Sequence, residues 1–490
     1  MSDLDPEEFR RLGHAVVDWV AAYRSGLPDR PVRPDVAPGD VRRALGELLP
    51  DRPQPLSALL DELDRVVVPA SLHWQHPGFF GYFPADAALA SLLGDLLSGG
   101  LGVQGMLWST APAGTEVEQA LLDRLAGALG LDPAFTFGGG GGGTIADSAS
   151  SAALVALLAA LHRGSARDGA ESRWREEGVD GRERVYVTAE THSSLAKAVR
   201  VAGLGARALR VVDLSPDGTM SPAALEAALR DDVAEGLRPV VVCPTVGTTG
   251  TGAVDPVGAL ADVAHRYGTQ PHGAWVHVDA AWAGVAALCP EHRRLLDGVE
   301  RADSFCTDAH KWLLTAFDAS LLWVRDAAAL PAAQSITPEY LRDAASDSGA
   351  VVDYRDWQVP LGRRFRALKL WAVLHTHGLE GLRAHIRGHV ALAGELAARI
   401  AAQSGSALPR LALAAPPSLA LVCLRVETGD PQADDRTTRA LLAAVNASGR
   451  AFVTHTVVGG RYAIRVAIGG VTTGAADVDA LWELLRRDPA

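Results

Sequence analysis

Short apolar segments alternate with amphipathic segments along the middle of the chain. The apolar segments lie at 185–188, 209–212, 240–243, 275–278, 304–306 and 321–324. Helical stretches separate them, for example at 192–202, 222–230 and 255–267. Short, continuously apolar strands that alternate with helices are typical of a mostly parallel sheet covered on both faces. The pattern therefore predicts an α/β fold for this part of the chain.

The N-terminal segment has a different pattern. Apolar residues recur at helical spacing from Phe9 to Val20, after a helix start at Asp5-Pro6. Four prolines then predict an extended connector, and further helical turns follow up to a helical run that starts at Ala85. We expect residues 1–85 to be a helical segment that makes a poor core by itself.

The C-terminal segment also differs from the middle. A helix at 379–402, a strand at 419–426, a hairpin turning on Gly459-Gly460 and a last amphipathic helix predict a small α+β domain. The expected division is thus a helical segment 1–85, a large domain 86–376 and a small domain 377–490.

Six consecutive glycines at 138–143 precede a stretch rich in Ser and Ala that starts a long apolar helix. Glycines that lead into a helix start allow backbone N–H groups to approach an anion, which the helix dipole also favours. A flexible loop explains a glycine run as well. Neither a Walker lysine nor a spaced GxGxxG with a downstream acid is present, so nucleotide binding is disfavoured. Earlier in the chain, the residues from Thr115 to Glu118 have the order of a capping box, which predicts the start of a helix that runs to Leu129.

Composition narrows the function classes. The net charge of −12 over 490 residues argues against nucleic acid or an anionic membrane as the main partner. The four cysteines lack metal-ligand spacing, so we expect buried thiols in a reducing compartment and no metal site. The acidic N-terminus lacks an apolar signal core, and no apolar stretch reaches membrane-spanning length. A cytoplasmic protein is expected.

Lysine is rare in this chain. Of its 46 basic residues only Lys197, Lys311 and Lys369 are lysines. Arginine can replace lysine as a surface charge, but a guanidinium cannot form a Schiff base, so a retained lysine is a candidate for amine chemistry. Lys311 lies between His310 and an apolar run, which is unusual for a solvated charge. We expect Lys311 to be functional and the other two to be surface residues.

An aspartate precedes this lysine by one strand. Asp279 ends the apolar run at 275–278, and Lys311 follows the run at 304–306. Residues just past neighbouring strands of an α/β sheet converge on the crevice at its carboxyl edge. Pyridoxal phosphate (PLP) needs such a pair, because the lysine forms a Schiff base and the carboxylate keeps the pyridine nitrogen protonated. The alternative for Asp279 is a carboxylate that caps the next helix.

The motifs HVDAAWAG and DSFCTDAHKWLL resemble those of the group II PLP-dependent decarboxylases, the aromatic-L-amino-acid decarboxylases in particular. The resemblance covers nearly the whole chain, from RPDVAPG to RYAIRVAIGG. It implies an aspartate-aminotransferase-like fold (fold type I) and a homodimer with both active sites near the interface. In that family the N-terminal segment packs across the partner subunit.

The resemblance also assigns cofactor residues. Besides Lys311 and Asp279 it implies phosphate contacts from Ser148, Ala149 and Ser150, a ring-stacking histidine, His192, a contact from Thr249, Ala281 against the ring face, and His310 beside the phosphate. Asp308 stands where many eukaryotic relatives have a phosphate-binding asparagine, and an ionised aspartate would be repelled. Either Thr307 makes that contact or Asp308 turns away.

The catalytic residues implied are Lys311, Asp279, His192 and Tyr340. Tyr340 lies in the polar stretch 337–349, which matches the mobile loop whose tyrosine returns a proton after CO2 leaves. A surface loop is the alternative interpretation of this stretch. The arginines at 363, 364 and 366 are expected to be structural or interface charges.

The substrate residues implied are Trp74, Tyr82, Phe83, Gln104 and Met106. No lysine or arginine occurs from Val66 to Asp123, whereas an acidic substrate side chain would need one. This favours decarboxylation of an aromatic L-amino acid to an arylalkylamine. Three alternatives stay open: oxidative decarboxylation to an aldehyde, a glutamate-like substrate, and a non-catalytic protein that has kept the fold.

Overall fold

A computed structural model describes residues 3–46, 48–49, 51–165, 173–336, 344–403 and 410–487. The chain divides into two compact units. The first comprises 1–84, 394–415 and 422–490, and the second comprises 85–393 and 416–421. Over the described ranges, no helix combines the length and the apolar character that crossing a membrane requires.

Strands occupy short, mostly buried segments. They are β1 Gly142–Ala146, β2 Glu183–Val187, β3 Leu209–Val211, β4 Arg238–Val242, β5 Trp275–Asp279, β6 Ser304–Asp308, β7 Ser320–Val324, β8 Leu411–Leu413, β9 Leu421–Val426, β10 Thr454–Val458 and β11 Arg461–Ala467.

Helices connect and flank these strands. In the described part of the chain they are α1 Pro6–Ser25, α2 Asp40–Ala44, α3 Leu56–Glu62, α4 Leu89–Leu101, α5 Pro112–Leu129, α6 Ala149–Ser165, α7 Arg173–Glu177, α8 Ser193–Val201, α9 Pro222–Ala234, α10 Val257–Ala264, α11 Ala309–Trp312, α12 Ala329–Gln334, α13 Ala344–Asp347, α14 Ala367–Ala401, α15 Pro431–Ala447 and α16 Ala475–Leu485.

The second unit is built on a seven-stranded sheet with the order β1-β7-β6-β5-β4-β2-β3. β7 runs antiparallel to both of its neighbours, and β2 to β6 are mutually parallel. Because β1 and β6 are both antiparallel to β7, β1 runs in the same direction as the parallel strands. The predicted α/β architecture is confirmed, and all six predicted strands are present.

The glycine run forms part of a strand that the sequence pattern did not predict. Gly142 and Gly143 lie in β1, and α6 begins only at Ala149. A Cβ atom on Gly143 would lie 2.9 Å from the Trp323 ring of β7, and one on Gly141 would lie 2.3 Å from the Val324 carbonyl oxygen. The glycines therefore allow β1 to pack closely against its surroundings. The expectation that they lead directly into the helix start is wrong.

A buried ion pair fixes β1 to the helix before it. Arg363 makes two hydrogen bonds to the Glu118 carboxylate and a further one, of 2.9 Å, to the Ile145 carbonyl oxygen. Both side chains are almost fully buried, and the Arg363 guanidinium lies 4.4 Å from the centre of the Tyr354 ring. Arg363 is thus a structural charge.

The helix α5 starts at Pro112, three residues before Thr115. The capping box predicted at Thr115 to Glu118 is therefore wrong.

Lys369 corrects a second expectation. Its side chain is 1% exposed, with Nζ 3.6 Å from Asp95 and 3.5 Å from Asp318. Burial lowers the pKa of this ammonium, although both carboxylates act in the opposite direction. Lys369 is therefore a buried residue, whereas Lys197 is exposed as expected. The four cysteines are buried and form no disulfides, as predicted.

The first unit contains a four-stranded sheet with the order β10-β11-β9-β8. The predicted hairpin is present, with Val458 opposite Arg461, and Gly459 and Gly460 adopt positive φ angles of 58° and 75°. The sequence pattern did not predict α15, and the helix expected at 379–402 is the part of α14 that follows a kink at Gly378.

Candidate active site

The predicted cofactor residues gather at one edge of the seven-stranded sheet. Parallel strands end at a common edge, where α/β proteins bind their ligands. The segments that follow β1, β2, β4 and β6 carry, in that order, Ser148, His192, Thr249 and Lys311, and Asp279 is the last residue of β5. The fold therefore brings to one edge five residues that are far apart in the sequence.

Lys311 lies in the short helix α11, directly after β6. Its Nζ is 2.8 Å from Oδ2 of Asp308, and its side chain is 25% exposed. Burial acts to lower the pKa of the amine, but the negative charge of Asp308, aided by that of Asp279, outweighs burial and raises it. The amine is thus partly accessible and electrostatically coupled to both aspartates.

Asp279 ends β5 and is only partly buried. Its Oδ1 accepts a hydrogen bond of 3.0 Å from the Ala281 N–H group. The Ala281 carbonyl oxygen in turn accepts one of 2.8 Å from the Asp308 N–H group. Ala281 therefore connects the ends of β5 and β6, which fixes the two aspartates relative to each other.

Behind Asp279 runs a chain of buried donors that sequence analysis missed. Trp275 Nε1 donates to Ser304 Oγ at 2.7 Å, and the Ser304 hydroxyl lies 2.8 Å from His277 Nδ1. Burial lowers the pKa of His277 to about 4, so its ring is neutral at pH 7. When the Ser304 hydroxyl donates its hydrogen bond to Nδ1, the neutral ring carries its proton on Nε2, which lies 3.8 Å from Cys306 Sγ.

The last donor of this chain faces the carboxylate. Cys306 Sγ lies 4.0 Å from Asp279 Oδ1. Burial and the charge of Asp279 raise the pKa of the Cys306 thiol well above its usual value, so the thiol keeps its proton. The protonated thiol is thus the donor that faces the Asp279 carboxylate. The register of adjacent parallel strands was the available signal, because it pairs His277 with Ser304 and Asp279 with Cys306.

The start of α6 carries the residues that the resemblance assigns to the cofactor phosphate. The Ser148 hydroxyl accepts a hydrogen bond of 3.3 Å from the Ser151 N–H group and lies 3.1 Å from Asp147. Ala149 and Ser150 form the first turn, whose N–H groups have no partner within the helix. The first N–H groups of a 17-residue helix can therefore bind a phosphate.

His192 is the N-cap of α8. Its Nδ1 accepts a hydrogen bond of 3.2 Å from the Ser194 N–H group and lies 2.8 Å from Ser194 Oγ. Because Nδ1 is an acceptor, the neutral ring carries its proton on Nε2. The histidine thus has a structural role in addition to the ring-stacking role that the resemblance implies.

His310 and the turn after β4 complete this edge. His310 is buried, and its Nδ1 accepts a hydrogen bond of 3.0 Å from the Ala319 N–H group. Thr248 is buried, with Oγ1 accepting from the Ala253 N–H group at 3.0 Å, whereas Thr249 is exposed. Exposure makes Thr249 the threonine of this pair that is accessible to a ligand.

The predicted substrate residues fall into two groups. In the first unit Trp74 stacks on Tyr82 with ring centres 5.4 Å apart, and the Arg465 guanidinium lies over the Phe83 ring. In the second unit Gln104 Oε1 accepts a hydrogen bond of 2.7 Å from the Met106 N–H group. The groups belong to different units, so a shared pocket stays a prediction. Tyr340 lies outside the described residues.

The residues at the sheet edge fit pyridoxal phosphate. They include a partly accessible amine, a carboxylate backed by hydrogen-bond donors and the start of a long helix. These three groups match an aldehyde, a protonated ring nitrogen and a phosphate. The arrangement defines the chemistry of a PLP enzyme built on the α/β fold described above. No group of His, Cys, Asp or Glu residues that could hold a metal ion occurs in the described part of the chain.

Comparisons with known proteins agree with the site. Residues 38–427 match the model of the pyridoxal-dependent decarboxylase conserved domain. Tyrosine decarboxylase 4 from Petroselinum crispum is 42% identical and covers 99% of this chain and 94% of its own. Phenylacetaldehyde synthase from Arabidopsis thaliana is also 42% identical, with 100% and 97% covered. The crystal structure of Oryza sativa TDC with PLP and tryptamine has a TM-score of 0.93, 39% identity and coverage of 100% and 99%.

The chain belongs to the pyridoxal-dependent decarboxylase family. The family resemblance, the fold type I architecture and pyridoxal phosphate as the cofactor are thereby confirmed. The protein is a PLP-dependent amino-acid decarboxylase, and the hypothesis of a non-catalytic scaffold is rejected.

Proposed function

We propose that this protein decarboxylates an aromatic L-amino acid to the arylalkylamine and CO2, with Lys311 and Asp279 as its central residues. The observation that carries the proposal is the placement of the Lys311 amine and the Asp279 carboxylate after adjacent parallel strands, with electrostatic coupling between them. A surface lysine and an aspartate that only caps a helix would not need to lie at the same edge of the sheet.

Each residue at the sheet edge has a defined task in this mechanism. When bound, pyridoxal phosphate supplies a ring that takes up the electrons released by loss of CO2. Lys311 would hold the cofactor covalently through Nζ, and Asp279 would hold a proton on the ring nitrogen. The start of α6, at Ser148, Ala149 and Ser150, would bind the phosphate.

The remaining predicted site residues position groups or move a proton. His192 would lie against the ring and present its Nε2 proton to the substrate carboxylate. Thr249, Ala281 and His310 would contact the cofactor. Tyr340 would donate its phenolic proton to the carbon from which CO2 has left. The assignment of Tyr340 rests on the family motifs alone, and the others rest on those motifs and on the shared sheet edge.

The aromatic substrate is supported by the relatives named above and by the charges near Gln104. A cavity of about 410 Å³ beside Gln104 is lined by Arg363, Arg364 and Arg366. Each of these arginines pairs with a carboxylate of this chain, namely Glu118, Asp95 and Asp318. Paired guanidinium groups bind an acidic side chain poorly, so a glutamate-like substrate is disfavoured.

Oxidative decarboxylation to an aldehyde is the second candidate. A phenylacetaldehyde synthase is as similar to this chain as a tyrosine decarboxylase is. Such activity usually accompanies loss of the loop tyrosine or of the stacking histidine, and both Tyr340 and His192 are present. We therefore favour the non-oxidative reaction.

The proposal includes a cytoplasmic homodimer with active sites near the interface. Residues 1–85 would be the dimerisation segment, 86–376 the cofactor domain and 377–490 the small domain. In support, α1 has no buried residue, and its Phe9 is 60% exposed. Along α4, Leu93 and Leu97 are more than half exposed. Apolar faces of this kind favour a protein partner.

Borohydride labelling tests the lysine assignment. Borohydride reduces the bond between the cofactor and its lysine, and peptide mapping then identifies the labelled residue. We expect the label on the peptide that contains Lys311 and no turnover in Lys311→Ala. Lys197 and Lys369 are the internal controls, since label on either one would overturn the assignment.

Product analysis tests the reaction and its substrate. We expect decarboxylation of tryptophan, tyrosine, phenylalanine or DOPA and little of glutamate. Tyr340→Phe should lower amine formation sharply and release aldehyde, ammonia and hydrogen peroxide, because the carbanion is then exposed to oxygen without its acid. Peroxide from the wild type at the rate of substrate loss would establish the oxidative candidate instead. An unchanged amine yield from Tyr340→Phe would assign the proton to another group.

A further inference from the structure

Asp308 has no role in the mechanism above, yet it is the charged residue nearest to the Lys311 amine among the described contacts. Its Oδ2 lies 2.8 Å from Lys311 Nζ, and the aspartate side chain is only 2% exposed. Asp308 is the last residue of β6 and the N-cap of α11, and Lys311 lies three positions further along the chain.

The backbone of Asp308 is held by its neighbours in the sheet. Its N–H group donates to the Ala281 carbonyl oxygen at 2.8 Å, and the residue pairs with Ser320 on β7. The side chain therefore starts from a fixed point of the sheet. From this point the Asp308 carboxylate reaches the Lys311 amine.

The surrounding charges make the carboxylate and the amine an ion pair. Burial acts to raise the pKa of Asp308, but Lys311 and then His310 outweigh it and lower the pKa. Lys311 faces Asp308 within its own segment, Asp279 from β5 and Cys306 from β6, and its pKa is raised. His310 Nε2 is 3.6 Å from Asp308 Oδ2, too far for a strong hydrogen bond. At neutral pH both partners of the pair are charged.

We infer that Asp308 is the resident counter-ion and proton acceptor of the Lys311 amine whenever Lys311 does not carry the cofactor. This inference rests on the proposed role of Lys311. An ammonium has no lone pair, so the amine must lose a proton before it can attack an aldehyde. The transfer breaks an N–H bond of Lys311 and forms an O–H bond on Asp308 Oδ2. Two opposite charges become two neutral groups, and no proton leaves the site.

An asparagine at this position would not take up that proton. It could accept a hydrogen bond from the amine, but it carries no charge to hold an ammonium. In the neutral pair, Asp308 would also no longer repel a phosphate. The aspartate is therefore a positioning residue that controls the protonation of Lys311.

The small number of lysines makes this inference directly measurable. Protein labelled with ¹³C at the lysine ε-carbon should give three signals, one each for Lys197, Lys311 and Lys369, assigned with Lys→Arg variants. In the full-length chain stripped of cofactor, we expect the Lys311 signal to titrate at higher pH than exposed Lys197. In Asp308→Asn, where only burial and the more distant groups act, the Lys311 midpoint should fall by about 1–3 pH units.

A matched variant controls for general electrostatic effects. Asp318 lies 3.5 Å from Lys369, so Asp318→Asn should move the Lys369 signal and leave that of Lys311 in place. An equal Lys311 midpoint in wild type and Asp308→Asn would overturn the inference. If Asp308→Asn does not fold, a wild-type Lys311 midpoint below that of Lys197 would overturn it, and one above would support it.

The rate of cofactor attachment gives a second readout. Pyridoxal phosphate is mixed with the stripped protein, and its absorbance change is followed between pH 6 and 9. We expect the rate of cofactor attachment in the wild type, divided by the rate in Asp308→Asn, to fall as pH rises. The reason is that the Lys311 ammonium must lose its proton to water in the variant, whereas in the wild type it can pass the proton to Asp308. A ratio that does not change with pH would contradict the proton-acceptor role. Borohydride label on another lysine would refute the role of Lys311 but leave the measured ion pair intact.

Discussion

At the scale of single residues, the site depends on carboxylates whose surroundings differ. Asp279 is partly buried and backed by donors, whereas Asp308 is buried against an ammonium. Glu118 is buried against the Arg363 guanidinium beside β1. The same type of group is therefore a structural anchor at Glu118, and we propose it as a cofactor ligand at Asp279 and as a counter-ion at Asp308.

Asp279→Asn tests the first of these roles. The substitution keeps the shape but removes the charge that would hold the ring proton. We expect kcat to fall about 10²–10³-fold, the range for loss of one preorganised electrostatic group, while the yellow cofactor stays bound. Exposed Asp297 provides the matched control, Asp297→Asn. Near wild-type kcat in Asp279→Asn would contradict the electron-sink argument.

Glu118→Gln tests the structural anchor. It leaves Arg363 buried without its carboxylate, so unfolding should become easier by about 3–5 kcal/mol. The exposed pair of Arg301 and Asp262 provides the control, since Asp262→Asn should change the free energy of unfolding by about 0–1 kcal/mol. Chemical denaturation measures both. Equal effects would show that the buried pair does not anchor β1.

Sequence reasoning predicted candidate chemical residues but missed the contacts that surround them. Asp279 and Lys311 could be predicted because each follows an apolar run and belongs to a dense motif. Lys369 was expected on the surface but is buried between two carboxylates that lie far away along the chain. Such long-range pairing leaves no periodic signal, so only the folded chain reveals it.

At the scale of elements, the apolar strands of the sheet could be predicted and β1 could not. Five of the predicted strands consist largely of β-branched or large apolar residues, but β1 begins with two glycines. Those glycines are required by close packing rather than by strand propensity. Prediction from apolar patterning fails at β1 because close packing there requires residues without a side chain.

The glycine run offers a paired test of this explanation. In Gly143→Ala the new methyl group would be 2.9 Å from the Trp323 ring, whereas in Gly138→Ala the nearest heavy atom lies 4.0 Å away. We expect Gly143→Ala to lose about 1–3 kcal/mol of stability through overpacking and to bind the cofactor more weakly. Gly138→Ala should stay within about 0.5 kcal/mol of wild type. Similar melting temperatures for the two variants would contradict the packing argument.

At the scale of the whole molecule, the exposed apolar faces of α1 and α4 favour contact with a second protein surface. Removal of residues 1–70 should give insoluble or inactive protein, because α1 would no longer cover its proposed partner. Removal of residues 1–4, which leaves α1 and its N-cap Asp5 intact, is the control and should behave as wild type. Light scattering and turnover measure the outcome. A monomeric, active truncation product would refute the proposed homodimer.

The place of β1 in the sheet has a consequence for synthesis on the ribosome. Among the strands that the structure describes, β1 pairs with β7 alone, and Gly142 lies opposite Val324. Arg363, which holds β1 through Glu118, emerges later still. The start of α6 therefore leaves the ribosome long before β1, which precedes it in the sequence, can pair with β7. Contacts so distant in sequence form slowly. The start of α6, where we propose that the cofactor phosphate binds, therefore reaches its final surroundings only after most of the polypeptide has left the exit tunnel.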